Sequence, residues 1–109
     1  MSIEKYYNLA KNNLFSLCRS ITGKGTEQTL RIIKKQFPKL KILKKKCRSK
    51  VFDWKIPSEW NVFDAYILDK DGKKIVDFKK NNLHLVNYSI PINKKIKKKI
   101  LLSKLHSIP

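Results

Sequence analysis

The chain has 109 residues and 26 Lys+Arg against 8 Asp+Glu, a formal net charge of +18. That length is the size of one domain, and an apolar fraction of 41% with 10% aromatics excludes a disordered polyelectrolyte. No run nears the ~18 consecutive apolar residues of a membrane-spanning helix, no secretory signal is visible after Met1, and two cysteines make no disulfide framework.

In chain order, Ile3, Tyr6, Tyr7, Ala10, Leu14, Leu17 and Cys18 recur at three- and four-residue steps and predict a helix over 3–20. Asn12 and Asn13 weaken it, being poor helix formers. Ser20 to Thr26, with Gly23 and Gly25, reads as a turn. Thr26 is then the expected N-cap of a second helix, with Glu27 in its first turn and Leu30, Ile33 and Phe37 as its apolar stripe. Pro38 ends that helix.

The period then changes. Leu40, Ile42 and Leu43 begin an extended segment that runs into a basic stretch, Lys44 to Lys50. Strands are expected over 51–54, 62–68, 73–78 and 83–90, where β-branched and aromatic residues concentrate. Asp69-Lys70-Asp71-Gly72 is a hairpin turn signal between two of them. Residues 94–106 return to helical spacing, with Ile96, Ile100, Leu101 and Leu105 on one face and lysines on the rest. Closing on Ile108-Pro109 just after such a helix reads as truncation, because proline sets an extended exit into further structure.

No catalytic constellation stands out. Gly23-Lys24-Gly25-Thr26 lacks the spacing and the preceding strand of a phosphate-binding loop. His84, His106, Cys18 and Cys47 show no metal-ligand spacing. Asp53, Glu59, Asp64, Asp69, Asp71 and Asp77 cluster in strand territory without marking an acid–base pair, and read as turn formers or partners of lysines. Two readings of the charge stay open: lysine drift over solvated faces, and a surface that binds phosphates. Phe52, Trp54, Trp60, Phe63, Tyr66 and Tyr88 interleave with lysine as in proteins that stack single-stranded bases, so a small basic nucleic-acid-binding module is one alternative. Against it, 23 of the 26 basic residues are lysine rather than the bidentate arginine that such readers favour. Aromatics of a small β-subdomain are also ordinarily core. Nonspecific adhesion to polyanions follows from the charge in either case.

Leu17-Cys18-Arg19-Ser20-Ile21-Thr22-Gly23-Lys24-Gly25, Glu27 to Leu30, Val51 to Val62 with its Phe-Asp-Trp and Glu-Trp-Asn pieces, Asp77-Phe78, Asn82 to Pro91, and Leu105 to Pro109 follow one another in a familiar order. Together they resemble the N-terminal part of the bacterial zinc aminopeptidase-like proteins found among surface-polysaccharide genes, which carry a small domain of unknown function. One departure is Cys47-Arg48-Ser49-Lys50, where relatives read closer to Ser-Gly-Thr.

The resemblance implies an α/β fold, present here as an α+β portion: two N-terminal helices, a small, mostly antiparallel β-subdomain of four to five strands, and a C-terminal amphipathic helix. Residues 1–46 would be the N-terminal helices and first strand of an aminopeptidase-like core, 47–92 the small β-subdomain, and 93–109 a helix leading back to a core absent from this chain. The family's zinc ligands match nothing in this chain, so no catalytic, cofactor-binding or metal residue is carried over, and His84 and His106 fall on framework positions. The expectation is a cytoplasmic portion of a zinc-dependent peptide hydrolase, inactive alone. Its expected partner is the remaining core, or a homo-oligomer in full-length relatives.

Overall fold

Where α1 ends is decided by backbone hydrogen bonding rather than by the apolar stripe. In the computed structural model, which describes residues 2–106, α1 spans Ile3–Leu9 and widens into a single π-type turn over Ala10–Leu14. That turn holds Asn12 and Asn13, the weak helix formers of the stripe. Arg19 then folds back and donates from Nη1 to the Leu14 carbonyl at 2.7 Å. An orphan helix-end acceptor is thereby satisfied, and the expected extension to Ser20 does not form.

The second helix, α2, spans Lys24–Gln36 and starts before the expected cap. Its N-cap is Gly23, at φ 142°, which has no side chain to cap with. Asn61 supplies the missing acceptor, its Oδ1 taking the Lys24 N–H at 2.8 Å. Thr26 instead donates to the Ser20 carbonyl at 2.6 Å and fastens the turn. The helix stops ahead of Pro38 as expected, and Phe37 stacks on Tyr6 of α1 with ring centroids 5.9 Å apart.

Four short strands form two antiparallel hairpins. Strand β1 (Lys50–Val51) pairs with β2 (Trp54–Lys55), so the strand expected over 51–54 is the tip of a hairpin, turned by Phe52 at φ 52°. Strand β3 (Tyr66–Leu68) pairs with β4 (Lys74–Asp77), with Tyr66 opposite Asp77, Ile67 opposite Val76, and an irregularity before Leu68. The turn between them is the one the Asp-x-Asp-Gly pattern predicts: the Asp69 carboxylate accepts from the Asp71 and Lys73 N–H groups, each at 2.9 Å. Gly72 takes the positive φ of 80° that such a turn requires.

The strand expected over 83–90 does not form. Asn81 caps a 3₁₀ turn at Asn82–His84 by accepting from the Leu83 N–H at 3.0 Å, and asparagine competes with ladder formation in this way. The helix expected over 94–106 shrinks to α3, Lys98–Leu102. It has no side-chain cap and no acid in its first turn, while Lys94, Lys95, Lys97, Lys98 and Lys99 repel one another along it. Ser107, Ile108 and Pro109, the end of the resemblance, lie outside the described residues.

Among the described residues no side chain is buried. The radius of gyration is 18.4 Å, against about 13 Å for a compact chain of this length. The accessible surface is 10339 Å², where a compact protein of this mass exposes about 6,300 Å². Helices and hairpins are therefore set as ribs of an open body, with many large apolar side chains exposed and the stripe of α2 half-buried.

Candidate functional site

Residues far apart in sequence meet at the turn between α1 and α2. The Ser20 hydroxyl donates to the Thr22 carbonyl and lies 3.3 Å from that of Trp60. Thr22 donates from Oγ1 to the Ser58 carbonyl at 3.1 Å, and its own carbonyl takes the Trp60 N–H at 3.4 Å. From the other side, Asn87 donates from Nδ2 to the Arg19 carbonyl at 2.8 Å. The Trp60 indole donates to the Ser89 carbonyl at 3.0 Å, and its ring stacks on Tyr88 at 5.9 Å. Three stretches, 19–24, 58–61 and 87–89, are thus tied into one knot.

Both glycines of the turn are explained by this crowding. A Cβ on Gly23 would lie 2.6 Å from the Trp60 carbonyl oxygen, at a φ that side chains rarely adopt. A Cβ on Gly25 would overlap the carbonyl of Cys18, reaching 2.8 Å from its carbon. Gly23-Lys24-Gly25-Thr26 is therefore a close-packing joint. Beside it lies an open cleft of about 640 Å³ whose lining includes Phe15, Cys18, Gly25, Trp60, Phe63 and Phe78, with Lys11, Lys24, Lys79 and Lys80 among its other members.

The candidate chemical groups do not converge. His84 is exposed, its Nδ1 3.3 Å from the Asp77 carbonyl, and His106 is exposed as well. Cys18 and Cys47 are half-buried and unbridged. Among the described residues no three His, Cys, Asp or Glu side chains are grouped so as to hold a metal ion, so they do not fit a zinc site. Asp69 shapes its turn, Asp71 pairs with Lys70, and Asp77 lies 3.6 Å from Lys74. Asp64 pairs with Lys79 at 3.1 Å, and that hydrogen bond holds its carboxyl below the usual range. Glu27 accepts from Arg31 at 2.8 Å and from Lys44 at 2.9 Å. Hydrogen bonds from Arg31 and then Lys44 lower its pKa to about 2. Both carboxylates are thus held ionised as structural ties.

The aromatics are also sorted by the structure. Trp60 and Tyr88 pack on each other, and Tyr66 lies under the Lys74 ammonium at 4.5 Å. Phe52 is 90% exposed, Phe63 86% and Trp54 51%, so within this chain they are not the core that their strand positions predict. Ser58, Asn61 and Asn87, which carry much of the knot, attract no notice as chemistry. The only sequence signal for them is that they stand within the blocks carrying the resemblance.

Comparison with known proteins accounts for this assembly. Residues 59–109 match the family described as a domain of unknown function, DUF2172. A Clostridium acetobutylicum protein, provisionally named for polysaccharide biosynthesis and an aminopeptidase-like domain, is 48% identical over 103 residues. That alignment takes in 94% of this chain and 23% of the relative. A crystal structure from the same organism, provisionally described as a peptidase, superposes with a TM-score of 0.87 at 47% identity. It covers 97% of this chain and 25% of the solved one. Among the described residues no helix is long and apolar enough to cross a membrane. This chain spans about a quarter of the length of the relatives it matches, and it is similar to the N-terminal part of a protein with an aminopeptidase-like domain.

Proposed function

We propose that this chain is the framework portion of a zinc-dependent aminopeptidase-like protein of the cytoplasm, which hydrolyses peptides in its whole form, and that alone it is inactive. The observation that carries the reading is the excess of about 4,000 Å² of exposed surface over a compact chain of this mass. The shape is that of a quarter of a much larger solved chain, on which it superposes. A surface of that size falls in the range of permanent interfaces rather than encounters. In this proposal residues 1–46 belong to the core layer, 47–92 form a small β-subdomain joined to it by the knot, and 93–109 lead back to the core. Zinc is held by residues outside this chain.

The test is direct. Purified 109-residue protein is assayed for zinc by mass spectrometry and for release of N-terminal amino acids from peptides, beside the full-length Clostridium relative. Zinc and peptidase activity are expected in the relative alone. Stoichiometric zinc with hydrolysis by the short chain would overturn the proposal.

A further inference from the structure

The cleft beside the knot differs from the rest of the exposed surface in what lines it. Lys11, Lys24, Lys79 and Lys80 all border it, and no Asp or Glu is among its lining residues. Lys79 is answered from outside by Asp64. Among the described residues, Lys11, Lys24 and Lys80 pair with no carboxylate, and all three are exposed. Cations of one sign around a concave surface focus the potential into it and concentrate anions there. The same lysines argue against a protein layer over the cleft, because an unpaired ammonium is costly to take out of water. A covering core fits the apolar faces elsewhere and not this cleft.

Between the lysines stand bare aromatic rings. Phe63 is 86% exposed and Phe15 61%, and among the described residues neither ring stacks on another. Phe15 follows the π-type turn that carries Lys11, and turns of this kind recur at functional sites. Cations beside free ring faces are the two parts of a surface for single-stranded nucleic acid: the cations follow the phosphates, and bases stack on the rings whatever their sequence. Phe63 is not core, contrary to its strand position. A scarcity of arginine limits only the reading of base edges, which sequence-tolerant stacking does not use.

We infer that this cleft binds single-stranded nucleic acid without sequence preference, with Lys11, Lys24 and Lys80 on the phosphates and Phe15 and Phe63 against the bases. A net charge of +18 draws such a polyanion to the chain, and the rings hold it at the cleft. Duplex is the poorer occupant, because its bases stack on each other and leave only phosphates to contact. An acidic polysaccharide offers charge without planar ring faces. The inference stands apart from the framework reading, and neither needs the other.

Binding of fluorescently labelled oligothymidylate to the 109-residue chain tests this, followed by anisotropy over a salt series. Amide NMR spectra check that each variant keeps the parent fold. Phe63→Ala is expected to weaken binding about 10-fold, the loss of one stacked base, and Phe63→Tyr to keep the parent affinity. Lys24→Gln with Lys80→Gln is expected to flatten the slope of log affinity on log salt by about 1.4, two phosphate contacts' worth. The charge-matched pair Lys95→Gln with Lys98→Gln, outside the cleft, is expected to leave that slope unchanged. Equal effects from the two lysine pairs, with none from Phe63→Ala, are the adhesion of a polycation and overturn the site. Tighter binding to a duplex of equal length overturns the choice of occupant, as does dextran sulfate binding with the same dependence on Phe63. Either result leaves the framework reading intact, and zinc-dependent hydrolysis by the short chain would sink that reading without altering the binding comparison.

Discussion

Gly25→Ala separates the knot from an ordinary helix start. Gly25 is the second residue of α2, where alanine normally favours the helix by up to ~1 kcal/mol over glycine. Here the added carbon meets the Cys18 carbonyl oxygen and carbon, which are main-chain atoms without a rotamer to escape into. Forcing an extra carbon into a filled site costs about 1–3 kcal/mol. A clash with main-chain atoms falls in the upper half of that range, about 2–3 kcal/mol, and less the helix gain it leaves a net loss of about 1–2 kcal/mol. None of the described residues has a buried side chain, so the loss is read locally by NMR-detected exchange rather than by a melt. The Lys24 amide, held by Asn61, and the Trp60 amide, held by Thr22, should each exchange about 5- to 30-fold faster, the equivalent of that free energy. Gly72→Ala is the internal control: its Cβ meets open space, and only the strain of φ 80° is expected, confined to the β3–β4 turn. If Gly25→Ala leaves the Lys24 and Trp60 amides unchanged and merely firms α2, the close-packed joint is refuted.

Asn61→Ala removes the acceptor of the Lys24 N–H and should weaken the first turn of α2 by about 1 kcal/mol, seen as faster exchange confined to that turn. Trp60→Phe keeps a ring against Tyr88 but loses the indole bond to Ser89; about 1 kcal/mol of linkage between 58–61 and 87–89 should go with it, checked by exchange of the amides around both stretches. Glu27 has a depressed pKa, so its ties to Arg31 and Lys44 are complete above the ordinary 4.5 and lost as pH falls through about 2. A carboxyl-carbon titration by NMR with its midpoint near 4.5 would contradict the bridge. Raising salt should loosen Lys44 from α2 well before the knot opens, because the exposed ion pair is screened and the hydrogen bonds of the knot are not; backbone relaxation at 41–46 against 19–24 reads the difference.

Local signals carried the elements that form from local interactions. The Asp69–Gly72 hairpin and the end of α2 at Pro38 are both settled within a few residues, by an Asp side chain and by a ring that cannot continue a helix. The apparent strand over 83–90 and helix over 94–106 have suitable patterns, but no layer in this chain covers their apolar faces. Asn81 in one case and mutual lysine repulsion in the other then decide the backbone. The cap of α2 lay beyond reach for another reason: its acceptor stands 37 residues downstream, so Thr26 looked the better choice. Resemblance did what periodicity could not. The blocks around Ser20, Trp60 and Tyr88 belong to the pattern that carries the resemblance, and they are the stretches that meet in the knot.

The knot also sets an order of events at the ribosome. The turn from Arg19 to Lys24 lacks its distant partners until Ser58–Asn61 emerge, and the joint is not closed until Asn87 and Ser89 follow. At ordinary synthesis rates the span from Arg19 to Ser89 takes about 3–14 s to emerge. Helix α2 and the β3–β4 hairpin need only microseconds, so each is formed and waiting while the turn that joins them stays open. For those seconds the basic N-terminal third is tethered but undocked, and its like charges keep neighbouring nascent chains apart.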